Sequence, residues 1–205
     1  MTKIKLCGLS RPEDIAVANE IVPDYIGFVF AKKSRRHVSK HEAADLKTLL
    51  KPGIEAVGVF VDEEVRMVAE LLNDKIIDVA QLHGSEDEAY IGQLRALTDA
   101  CIIKAFKIST REDVQKAIKS SADYILLDSG AGDGLAFDWE MIGTIERPYF
   151  LAGGLDCDNV SDAVKKLDPF AVDVSSGIET DGCKDARKMD KFVSTVRNLS
   201  GKDKT

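Results

Sequence analysis

The sequence predicts an α/β fold, a single (β/α)8 TIM barrel, and three observations predict it. Short β-branched apolar runs alternate with amphipathic stretches of helix length along the whole chain. Eight runs of each kind are found, and strict alternation calls for parallel strands joined by right-handed crossovers. At 205 residues each unit takes about 26, near the lower limit for a closed barrel of this type. The rival is an open doubly wound sheet, which normally carries a glycine-rich fingerprint in its first βα turn. Here that turn reads CGLSRP, with neither GxGxxG nor a Walker pattern.

The expected elements run in order. Strand 1 is IKLC (4–7), and its helix starts near Arg11, with Ser10 as cap, Pro12 in the first turn, and Glu13 and Asp14 at the positive helix end. Strand 2 is DYIGFVF (24–30). Ser39 and Glu42 then form a capping-box pattern. Strand 3 is EAVGVFV (55–61) with a helix from about Glu63, and strand 4 is IDVAQLH (77–83) with one from about Glu86. Strand 5 is CIIKAFK (101–107), followed by a weaker Thr110–Asp113 box. Strand 6 is DYILLD (123–128) with a helix near Trp139, strand 7 is PYFLAG (148–153) with one near Asp158, and strand 8 is AVDVSS (171–176) with one near Asp185. No linker divides the chain. One catalytic domain is expected over 1–200, with GKDKT (201–205) a loose tail.

Composition narrows the function. The chain has 28 Lys and Arg against 35 Asp and Glu, a net charge of −7, and no basic tail, which disfavours binding to nucleic acid phosphates. Its longest apolar runs are of strand length, short of the roughly 18–20 residues that cross a membrane. MTKIKLCGLS lacks a secretory h-region. Cys7, Cys101, Cys157 and Cys183 are widely spaced, so neither a disulfide framework nor a zinc site is expected, and a cytoplasmic protein with free thiols is.

In such barrels function collects at the carboxyl ends of the strands. Strand 1 ends in Cys7-Gly8, strand 4 in Gln81-Leu82-His83-Gly84, strand 6 in Asp128-Ser129, strand 7 in Ala152-Gly153-Gly154 and strand 8 in Asp173-Val174-Ser175-Ser176-Gly177. Glycines admit an anion close to the backbone, and hydroxyls add donors. Gly153, Gly154, Ser175 and Ser176, after strands 7 and 8, therefore read as a phosphate cradle. The basic loop Lys32–His37 after strand 2 offers Arg36, whose planar fork suits a carboxylate. Cys7 and Asp128 are the candidate acid/base pair. A thiol acting as base needs a pKa below its usual value near 8.5, and Lys5, on the same strand face, is a candidate to lower it. By residue type alone Cys7 reads equally as a small buried hydrophobe, Asp128 as a turn residue and His83 as a loop hydrogen-bonder.

The motifs stand in a telling order: KLCGLSRPED (5–14), YIGFVFAKKSRRHVS (25–39), GVFVDE (58–63), QLHG (81–84), LLDS (126–129), FDW (137–139), LAGGLDCDNV (151–160) and VDVSSGIE (172–179). From about residue 3 to about 195 the chain resembles the phosphoribosylanthranilate isomerase family of tryptophan biosynthesis. The resemblance implies a (β/α)8 barrel without metal or organic cofactor. It implies conversion of N-(5-phosphoribosyl)anthranilate to 1-(2-carboxyphenylamino)-1-deoxyribulose 5-phosphate by an Amadori rearrangement. It makes Cys7 the general base and Asp128 the general acid. It places Arg36 on the anthranilate end, Gly153, Gly154, Ser175 and Ser176 on the phosphate, and Asp173 facing the ligand; His83 is counted with the substrate-binding residues. The expected partner is a small phosphosugar, with no nucleic acid and no membrane, in a monomer or homodimer. Two segments depart from the family pattern: Arg35-Arg36-His37 stands where Pro-Arg-Tyr is usual, and Gly132-Asp133-Gly134 where Gly-Thr-Gly is usual. The alternatives are the related histidine-pathway aminoaldose isomerase, which carries an aspartate where Cys7 stands, or a dual-function relative of it, and a non-catalytic sugar-phosphate-binding or regulatory barrel.

Overall fold

A computed structural model describes residues 1–129 and 139–199. Eight parallel strands close into a barrel in sequence order: β1 (Lys3–Cys7), β2 (Tyr25–Val29), β3 (Glu55–Phe60), β4 (Val79–Leu82), β5 (Cys101–Lys107), β6 (Tyr124–Asp128), β7 (Tyr149–Ala152) and β8 (Ala171–Val174). The β1–β8 pairing that closes it sets Lys5 beside Asp173. All eight expected strands are present, most of them a residue or two shorter than their apolar runs. β3 and β8 lose residues at their carboxyl ends, β6 at its amino end, and β2, β4 and β7 at both, where the chain leaves the ladder for the loops.

Side chains alternate across each strand. Ile4, Leu6, Ile26 and Phe28 face outward into the shell of helices. Tyr25, Val57, Val79, Ile103, Leu126, Phe150 and Ala171 fill the interior. Tyr25, Tyr124, Phe150 and Phe170 pack ring to ring, with centroids 4.7–5.7 Å apart, and floor the barrel at its amino end. The open end is therefore the carboxyl end.

The surrounding helices are α1 (Pro12–Ile21), α2 (Lys40–Leu49), α3 (Val65–Asn73), α4 (Glu88–Arg95), α5 (Arg111–Ile118), α6 (Val160–Leu167) and α7 (Ala186–Leu199). The boxes at Ser39–Glu42 and Thr110–Asp113 both form. Three expectations are corrected. The cap of α1 is Arg11, not Ser10: Asp14 Oδ2 takes the backbone N–H groups of Ser10 and Arg11, so a first-turn carboxylate replaces the expected hydroxyl. The helix expected near Trp139 is, among the described residues, one 3₁₀ turn, Trp139–Met141. Gly143 with φ +62° and Pro148 leave that segment no room for a second turn. Finally, a hairpin of β9 (Glu179–Thr180) and β10 (Cys183–Lys184) stands between β8 and α7. Its Asp181-Gly182 turn takes positive φ at both residues, as a two-residue hairpin loop of the primed class requires.

No helix among the described residues is long and apolar enough to cross a membrane. The expected loose tail at 201–205, the glycine loop after strand 6 with Asp133, and the first two residues of FDW lie outside the described residues.

Candidate active site

A cavity of about 490 Å³ opens at the carboxyl end of the barrel. Cys7, Arg36, His83, Asp128, Gly153, Gly154, Asp173, Ser175 and Ser176 all line it, so the structure brings every candidate site residue to one place. Cys7 and Asp128 end their strands, Asp173 stands one residue before the end of β8, and the others lie in the loops that follow strands, so parallel strands bring residues far apart in sequence to a common point.

Cys7 is the last residue of β1 and points inward. Cys7 fills the space a side chain at Gly27 on β2 would need: a Cβ there would stand 2.8 Å from the Cys7 sulfur. Beneath it lies Lys5, fully buried, with Nζ 2.8 Å from Asp173 Oδ2. The expectation that Lys5 lowers the thiol pKa meets a stronger opposing effect. Burial pushes the Cys7 thiol up, and the nearby Asp173 charge adds to this. The positive charges of Lys5 and Lys184 offset it only in part.

Asp128 ends β6, three strands round the barrel from Cys7. Its Oδ2 lies 3.2 Å from His83 Nε2, and His83 Nδ1 lies 2.9 Å from the side-chain amide nitrogen of Gln81. Gly153 presses against the same carboxyl. A Cβ there would stand 2.7 Å from Asp128 Oδ1, 2.6 Å from the Ser129 backbone nitrogen and 2.1 Å from Ser129 Oγ. Ser129 Oγ donates to the Gly153 carbonyl at 2.9 Å, which ties the ends of β6 and β7 together.

On the β7–β8 side an isolated bridge joins Asp156 to Gly177, and Ser175 Oγ donates to the Cys7 carbonyl at 3.1 Å. The backbone at Gly153 and Gly154 has φ of +92° and +63°, the left-handed region that favours glycine.

Arg36 reaches the cavity rim over Gly8 and is not a lone cation. Its Nε and Nη2 donate to Glu179 Oε1 and Oε2 at 2.6 and 2.9 Å. Arg35 Nη2 and Lys184 Nζ donate to the same carboxylate at 2.6 and 2.7 Å. Lys184 also donates to the Ser175 carbonyl at 2.8 Å. Burial alone would raise the Glu179 carboxyl, but the bonds and charges of Lys184 and Arg36 overcome it and bring it down to about 2. Glu179, Lys184 and Gln81 were missed in the sequence. Asp181-Gly182 was the one local signal for the hairpin that carries the first two. Gln81 could have been found only as an inward position of β4 that is polar.

Among the described residues no group of three or more His, Cys, Asp or Glu side chains is arranged to hold a metal ion.

A family model described as N-(5'-phosphoribosyl)anthranilate (PRA) isomerase matches residues 4–195. The chain belongs to this family. A PRA isomerase of Endomicrobium trichonymphae is 42% identical over 204 residues, covering 97% of this chain and all of the relative. A solved monomer form of the dimeric enzyme of Thermotoga maritima superposes with a TM-score of 0.87 at 34% identity, over 97% of this chain and 100% of that one. A further solved PRA isomerase, in complex with reduced 1-(o-carboxyphenylamino)-1-deoxyribulose 5-phosphate, superposes with a TM-score of 0.83 at 32% identity, over 97% and 100% of the two chains. These matches each cover 97% of this chain.

Proposed function

We propose that Cys7 is the general base and Asp128 the general acid in this cavity, with phosphate held at Gly153, Gly154, Ser175 and Ser176. The reaction is that of the family: N-(5-phosphoribosyl)anthranilate is converted to 1-(2-carboxyphenylamino)-1-deoxyribulose 5-phosphate in tryptophan biosynthesis. The observation that carries the assignment is the shared cavity, with a thiol on β1, a carboxyl on β6 and a glycine-serine rim between them on β7 and β8.

The chemistry needs those groups. The Asp128 carboxyl delivers its proton to the furanose oxygen as the C1′–O bond breaks, leaving a protonated Schiff base. The Cys7 thiolate takes the C2′ proton, giving an enolamine that tautomerises to the amino ketone. One proton enters and one leaves, so the isomerisation is balanced. Each positioned acid or base contributes roughly 10²–10⁴-fold. Arg36, held by Glu179, is assigned to the anthranilate carboxylate. Fixing both ends of a flexible substrate contributes through proximity.

Turnover of phosphoribosylanthranilate by the purified chain, compared with that of Cys7→Ala, tests this reading. Loss of at least a hundredfold is expected. Near-full activity in Cys7→Ala would remove the base assignment.

A further inference from the structure

Gln81, His83 and Asp128 form a chain from the barrel interior to the cavity. Gln81 is 1% exposed, and its Nε2, which can only donate, faces His83 Nδ1 at 2.9 Å. His83 Nε2 faces Asp128 Oδ2 at 3.2 Å. Gln81 Oε1 is buried and has no partner among the described residues. Reversing the amide would bury its N–H donors where the oxygen stands, and stranded donors are rarer in proteins than under-satisfied carbonyl oxygens.

This orientation has a chemical consequence. An N–H aimed at Nδ1 occupies the lone pair that a second ring proton would need. A neutral imidazole with its proton on Nε2, donating to Asp128 Oδ2, is the form that fits both contacts. An imidazolium at the same distance would form an ion pair with Asp128 and hold it as carboxylate, useless as an acid. We propose that Gln81 is a positioning residue that keeps His83 neutral in the Nε2–H form, so that Asp128 can carry the proton it donates. The inference rests on the reading of Asp128 as the acid.

The other charged groups around His83 do not substitute for Gln81. Lys104 of β5 donates to the Leu82 and Gly84 carbonyls, at 3.3 and 2.7 Å, but is paired with Glu86 at 3.0 Å. Asp62, past β3, is occupied by the Ser85 backbone N–H at 2.6 Å and its hydroxyl at 2.7 Å. Cys7, Arg36 and Asp173 line the same cavity on other strands.

The test is ¹⁵N spectroscopy of histidine-labelled full chain at pH 7 without substrate. The chain has three histidines, and His83→Asn identifies the resonance. His83 is expected to show a protonated Nε2 and an unprotonated Nδ1. In Gln81→Glu the carboxylate accepts a hydrogen bond from Nδ1–H and favours protonation there, and His83 is expected to become imidazolium. In Gln81→Met, which removes the N–H without adding charge, the single tautomer is expected to give way to a mixture. Gln81→Glu should lower kcat at least tenfold with KM changed less than threefold, and should cost less than twofold in a His83→Asn background. An imidazolium or Nδ1–H form in the parent protein, an unchanged tautomer in Gln81→Met, or equal Gln81→Glu costs in both backgrounds would overturn the proposal. A turnover loss in Asp128→Asn without the expected tautomer would leave the acid assignment standing and remove only the role of Gln81.

Discussion

Arg36 and Glu179 lie 143 residues apart in the sequence and meet as a two-bond fork at the cavity rim, with the carboxylate shared by Arg35 and Lys184. The fork holds the Arg36 guanidinium in one orientation at the rim. Glu179→Gln keeps the shape and removes the charge, so KM is expected to rise about tenfold while kcat changes little. Leaving buried Lys184 without its partner should cost roughly 3 kcal/mol, a fall in Tm of about 6–12 °C. The pH dependence follows from the lowered carboxyl. Its contribution to stability is full above its ordinary value of 4.5 and is lost as pH falls toward about 2. Acid unfolding of Glu179→Gln should lack that component, and steady-state kinetics with a pH-dependent melting series reads both effects.

The base is predicted to work against its own burial. Because the Cys7 pKa is raised, the thiolate fraction grows with pH, and kcat/KM is expected to climb on the acid side as the thiol ionises. Lys184 is one of the cations that opposes the rise, so Lys184→Met should move that limb to higher pH. A pH profile of kcat/KM for the two proteins decides it; a limb that stays in place or moves to lower pH would remove Lys184 from the electrostatics of the base.

Gly153 is expected to tolerate no side chain. Its φ of +92° and the contacts a Cβ would make with Ser129 and Asp128 both oppose alanine. Backbone strain of this kind costs about 1–3 kcal/mol. Gly153→Ala should lower kcat by at least tenfold by displacing the Asp128 carboxyl, and should weaken competitive inhibition by inorganic phosphate. Inhibition and turnover measured on one preparation separate the two effects.

Much of this was legible in the sequence because barrels write their plan locally. Each strand is a β-branched run, and each site residue stands at a strand's end, so Cys7, Asp128, Gly153 and Ser175 could be picked out by position alone. What was not legible depends on space. Lys5 shares a strand face with Cys7, which was readable, but its partner Asp173 arrives only when β8 closes on β1. Burial then reverses the expected direction of the Cys7 shift. The β9–β10 hairpin has two residues in each strand, too few for any periodicity, so Glu179 and Lys184 looked like a loop. Residues 139–145 have apolar spacing that suits a helix, but Gly143 stops it after a single turn.

Asp128, on the opposite side of the cavity from Cys7, is the group proposed to donate the acid proton. The direct measurement is turnover of phosphoribosylanthranilate by Asp128→Asn beside its affinity for a reduced product analogue. The amide keeps the shape of the carboxyl and loses the transferable proton. Turnover reduced at least a hundredfold, with analogue affinity within threefold of the parent, is the predicted result. Turnover within threefold of the parent would contradict the assignment and require another group to protonate the furanose oxygen.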